Sequence, residues 1–281
     1  MSFIEVMITD LCSLSLEDDF ALSLNTTLDQ YNAGANSMIV GFMRNSVFAI
    51  GASLLTLFML MELVTMVNRA NGDSGLGNIK LPANVLIKFG IFAFLFCNIP
   101  KILAGIEATA VSIGTNMVTS VNYDFGVGIV QTDVTNIADA IDNLPFLNRI
   151  FTYLVVFICW LFTHIIEGIL SITTVFRVFE LWLFLLFSPI PLATLASQEF
   201  RQSAINFLKS FTAVALQGSA IIACFLIYQA LMASTIQSYD ASLDISEFIN
   251  SFLMQNIIYT TVLATSVFSS GRIIKQIMGA M

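Results

Sequence analysis

Between Phe176 and Arg201 the chain reads FRVFELWLFLLFSPIPLATLASQEFR, an apolar run long enough to enter a bilayer, with two prolines in its middle. Each proline lacks an amide hydrogen and crowds the preceding turn, so Ser188, Pro189 and Pro191 mark a structural break. Lipid offers no hydrogen bonds, so broken backbone at membrane depth has to be enclosed by protein or by a water-filled cavity. The expectation is a broken or re-entrant element packed inside a bundle; an ordinary proline-kinked span is the alternative.

Composition fixes the class around that element. Of 281 residues 57% are apolar and 11% charged, with a mean hydropathy of +0.86, whereas a soluble domain carries about 25% charged residues. The apolar runs are continuous rather than alternating, which selects helices over a transmembrane barrel. The fold class expected is all-α, a polytopic helical membrane protein with about five full transmembrane helices plus the proline-broken segment. The first residues lack the basic start and apolar core of a cleavable signal peptide. Cys97, Cys159 and Cys224 lie inside apolar runs and read as small core residues.

Acids and bases are segregated along the chain, and the positive-inside rule converts that into topology. Residues 1–36 hold six acids and no base, an acidic extracytoplasmic segment preceding a helical membrane domain at 37–281. Spans are expected at about 47–67, 85–105, 151–174, 207–233 and 252–270. The second is interrupted by Asn98-Ile99-Pro100-Lys101. Residues 107–148 carry five acids and no base, and 235–250 three acids and no base, so both are outer segments. Basic stretches around Arg69 to Lys88, Arg201 to Lys209 and Arg272 to Lys275 face the cytoplasm. A re-entrant Arg177–Arg201 element keeps every basic loop inside, with the N-terminus out and the C-terminus in.

Several polar residues inside apolar runs are candidates for function. His164 and Glu167 are three apart and share a helix face. A di-metal carboxylate site uses that spacing, but it needs a second copy of the pair, and His164 is the only histidine. A hydrogen-bonded structural pair is the expectation. Glu62 and Glu180 sit near the ends of apolar runs, Glu180 within reach of Arg177, and read as interfacial ion pairs. Ala215, Ser219 and Ala223 form a small-residue stripe for helix packing, with Gln217 able to hydrogen-bond beside it. No HExxH, GxSxG or P-loop occurs, so no enzymatic activity and no cofactor is expected. The scattered Lys and Arg make no basic patch for tight nucleic-acid binding.

The run from Ser188 to Ser234, SPIPLATLASQEFRQSAINFLKSFTAVALQGSAIIACFLIYQALMAS, resembles the core of TrbL-like proteins, polytopic inner-membrane subunits of conjugative type IV secretion systems. The shared pattern is a proline break, a short polar turn, then a long span opening near Phe-Leu-Lys and carrying Leu-Gln-Gly. The resemblance implies a non-enzymatic scaffold or channel subunit in the bacterial cytoplasmic membrane, homo-oligomeric and in contact with lipid. It also implies a secretion ATPase on the cytoplasmic side, bitopic assembly factors and pilin-like subunits outside, and transient contact with translocated DNA or protein. The alternative is a secondary transporter or channel for a small solute or ion, in which the break at Asn98 to Lys101 mirrors that at Ser188 to Pro191. Lys101, His164 and Glu167 would then be the residues of interest.

Overall fold

The computed structural model describes residues 3–13, 24–71, 80–121, 141–237 and 245–280. Among them 92% are helical and none is in a strand, so the protein is an all-α membrane protein. Helix α1 is Phe3–Ser13, and α2 is a single turn, Leu28–Tyr31. Helix α3, Ala33–Phe42, runs through a π-helical turn, Met43–Val47, into α4, Phe48–Asn71. Helices α5, Lys80–Cys97, and α6, Ile99–Val121, follow. Then come α7, Phe146–Phe187, the short α8, Pro189–Ala193, and a 3-10 turn at Thr194–Ala196. Helices α9, Arg201–Gln237, and α10, Ile245–Ile277, complete the described chain.

Five helical stretches are long and apolar enough to cross a membrane: Ala33–Thr65, Ile99–Ser120, Phe146–Phe187, Arg201–Met232 and Ser251–Ile277. Their number equals the number of full spans expected, but two boundaries differ. The second expected span, 85–105, is divided at Asn98, and its apolar character continues through α6 to Ser120. Glu107, taken as the start of an outer segment, therefore lies inside a helix and is buried. The expected third span and the part of the broken element that precedes its prolines are one helix, α7, which passes Arg177 without interruption and ends at Phe187. A lone arginine ends an apolar run in a charge count; here its guanidinium is satisfied by backbone carbonyls and the helix continues.

The proline break takes a milder form than a re-entrant hairpin. In an unbroken helix Leu185 O would accept from residue 189, which is proline and has no N–H. Ser188 Oγ donates to that carbonyl instead, at 2.7 Å. Leu192 N–H donates to Ser188 O at 3.2 Å, so the ladder resumes within one turn. Ser188 stays in right-handed helical space (φ −53°, ψ −33°), and the chain becomes extended only at Ser197 (φ −97°, ψ 136°). Pro189 also packs where no side chain intervenes: a Cβ on Gly51 of α4 would lie 2.8 Å from Pro189 Cβ and from its carbonyl oxygen. Glycine is what lets α4 approach the corner backbone so closely.

The chain forms two compact units. One comprises Met1–Asn25, Ser112–Phe176 and Gly218–Gly271; the other comprises Thr26–Val111, Arg177–Gln217 and Arg272–Met281. The first has its own core, including Leu11, Val156, Leu170, Phe225 and Leu263. The second is built on Leu28, Leu103, Leu181, Phe211 and Val214. Sequence charge divides with them. The first unit holds 13 acids against Arg149 alone, a formal −12, and the second ten bases against six acids, a formal +4, which together make the chain's −8.

Candidate functional site

Inside the basic unit two ionisable side chains are buried where the sequence showed only isolated charges. Arg177, in the last third of α7 and 3% exposed, donates from Nε to Val214 O at 3.1 Å and from Nη2 to Ala215 O at 3.0 Å. Glu107, midway along α6 and 5% exposed, accepts the Leu28 N–H on Oε1 at 2.5 Å. The two charges interact electrostatically, which lowers the cost of holding each away from water. Leu28 opens α2, and the first N–H groups of a helix have no partner inside it. A carboxylate from α6 therefore caps α2 from outside, while Thr27 and Gln30 cap it from within through a reciprocal capping box. A four-residue helix cannot hold itself together; this one is fixed by its caps and by Leu28 in the core.

The acidic unit gathers polar groups around the only histidine. His164 Nδ1 is 2.6 Å from Glu167 Oε2, the expected pair, and its Nε2 is 4.0 Å from Asp10 Oδ2. Asp10 also accepts the indole N–H of Trp160 at 3.0 Å, and Trp160 meets the imidazole edge to face at 4.3 Å between ring centres. One residue on, Leu11 O accepts from Asn256 Nδ2 at 2.8 Å. The cluster thus ties α1 to α7, and Asn256 ties it to α10. Among the described residues no group of three or more His, Cys, Asp or Glu is placed to hold a metal ion.

The remaining candidates fall in separate places. Glu180 pairs with Lys275 at 3.0 Å and not with Arg177, whose donors are turned toward α9. Glu62 lines a cleft of about 400 Å³ with Lys88 and Arg201. Lys101 is exposed on α6. On α9, Ala215 and Gln217 are buried in the basic unit, and the Ala215 carbonyl is the one Arg177 reaches. Ser219 is buried in the acidic unit, where a Cβ on Gly114 would lie 3.4 Å from its hydroxyl; Ala223 is half-buried there. Sequence reading missed Glu107, Arg177, Asp10 and Asn256 as interior partners. Thr27-Leu28-Asp29-Gln30 carried the capping pattern that locates α2; nothing local linked it to Glu107.

Comparison with known proteins gives one positive finding. The family described as TrbL/VirB6 plasmid conjugal transfer like protein matches residues 17–189, more than half of the chain. The match takes in Glu107, His164, Glu167 and Arg177 and ends at Pro189, so the Ser188–Ser234 run on which the resemblance was read lies almost wholly beyond it. No curated protein and no solved structure matches.

Proposed function

The chain belongs to the TrbL/VirB6 plasmid conjugal transfer like family and is a multi-pass component of a conjugal-transfer, type IV secretion, system; from that premise we propose that it serves as a non-enzymatic scaffold or channel subunit. The observation that supports this role is where the buried polar side chains go. Arg177 grips the backbone of α9, Glu107 the backbone at α2 and Asn256 the backbone of α1. Groups used this way fix the course of the chain, and they do not converge on a space where a substrate would react.

The family resemblance implies the bacterial cytoplasmic membrane, and the charge pattern supports an N-terminus out and a C-terminus in. The acidic stretches 1–36 and 235–250 are the outer surfaces offered to bitopic assembly factors and pilin-like subunits. The third is narrowed to 122–148, because Ile99–Ser120 is apolar and long enough to be a span. The basic segments near Arg201 and Arg272 face a secretion ATPase, copies of the chain surround the path, and DNA or protein passes transiently.

Co-purification from the native membrane in mild detergent tests the reading. A ring-sized homo-oligomer that carries secretion ATPase or bitopic assembly proteins is the expected outcome. A stable monomer or dimer that moves a small solute alone in liposomes would replace it with the transporter.

A further inference from the structure

The corner after α8 bounds a cleft of about 400 Å³, lined among others by Glu62, Lys88, Phe92, Ser197, Gln198 and Arg201, all in the basic unit. This volume falls in the range of small-molecule sites, about 300–1,000 Å³. Its three charged groups are left open. Glu180 has Lys275, but Glu62, Lys88 and Arg201 have no ion pair among the described residues. Ser197 lines the same cleft and is only 6% exposed, and no hydrogen bond engages its hydroxyl.

The depth of these residues identifies what comes near them. Glu62 lies in the last turn of the apolar stretch Ala33–Thr65, and Arg201 is the first residue of Arg201–Met232. Lys88 is the second residue of the shorter apolar stretch Ile87–Cys97. Charged side chains at the ends of apolar stretches sit at the level of lipid headgroups, and basic pockets between transmembrane helices bind them. A phosphate alone would leave Glu62 facing a like charge. A headgroup carrying a phosphodiester and an ammonium leaves neither sign unmatched.

We infer that this cleft holds the headgroup of an aminophospholipid, with its phosphodiester against Lys88 and Arg201 and its ammonium against Glu62. Ser197 and Gln198 donate to the remaining phosphate oxygens, and Phe92 walls the apolar side. Such a lipid would brace α4, α5 and the start of α9 at the corner where the chain turns extended.

Native mass spectrometry of the full chain, delipidated in mild detergent and titrated with phosphatidylethanolamine, phosphatidylglycerol or inorganic phosphate, tests the assignment. Phosphatidylethanolamine should bind in preference to phosphatidylglycerol, and inorganic phosphate should not displace it at equal concentration. Lys88→Gln with Arg201→Gln should weaken phosphatidylethanolamine binding about 30-fold, at roughly fivefold per cation. Glu62→Gln should retain phospholipid but reverse the preference toward phosphatidylglycerol. Displacement by inorganic phosphate would make this a soluble-anion site and overturn the assignment, as would lipid binding indifferent to the two cations. Should the double variant aggregate, the isosteric Glu62→Gln decides alone, and an unchanged lipid preference overturns it.

Discussion

Arg177 and Glu107 show what a single side chain does in this interior. Removing one member of a buried charge pair is worse than removing both, because the survivor keeps its desolvation cost. Arg177→Met is expected to lower the unfolding free energy by about 3–5 kcal/mol, and adding Glu107→Gln to recover part of that loss. A denaturant titration in detergent micelles measures the cycle; losses that simply add would show the two charges to be independent. Ser188 supports a sharper cycle. Ser188→Ala leaves Leu185 O with only the long 3.4 Å bond from the Ser188 backbone N–H, at about 1–3 kcal/mol, but this should shrink when Pro189→Ala restores an N–H at the right position. An equal cost in both backgrounds, read from thermal unfolding, would assign the hydroxyl another role. Both charges were visible in the sequence as intruders in apolar runs. Their partnership was not, because charge counting treats an arginine in such a run as its end and an acid before an acidic stretch as outside it.

At the scale of elements, legibility followed length. The long helices were readable because 20 or more apolar residues without an interior proline leave the backbone no alternative in lipid. The two proline sites were readable as interruptions, but the geometry at Pro189 depended on a neighbouring hydroxyl and on Gly51, both settled by packing. Helix α2 has too few residues for any periodic signal and is known by its caps. Helix α1 has a plain amphipathic pattern, and what was hidden was its attachment by Asp10 to Trp160 and by Leu11 O to Asn256. Cutting both, with Asp10→Ala and Asn256→Ala, is expected to loosen α1 while α7 and α10 stay folded. Hydrogen exchange of peptides covering Phe3–Ser13 should rise by at least about tenfold, which corresponds to about 1.4 kcal/mol of lost anchoring. Unchanged protection would show that α1 is held by its apolar face alone.

Over the whole molecule, the formal −12 of one unit and +4 of the other extend the loop-by-loop charge bias to units assembled from distant parts of the chain. The orientation proposed from that bias predicts that a cysteine replacing Ser203, in the first turn of α9, reacts with a membrane-impermeant maleimide only in inverted vesicles. Labelling in intact cells would reverse the topology. The 42 residues of α7 are about twice the number a helix needs to cross the bilayer hydrocarbon. The anchors of α1 and α2 also set a schedule. Leu28 meets Glu107 79 residues further on, Asp10 meets Trp160 after 150 and Leu11 meets Asn256 after 245. During synthesis the residues that leave the ribosome first therefore gain their final fastening only when the last helix has emerged. The earliest part of the chain is the last to be locked, and a nascent protein stalled before α10 would present α1 untethered to any quality-control protease on its side of the membrane.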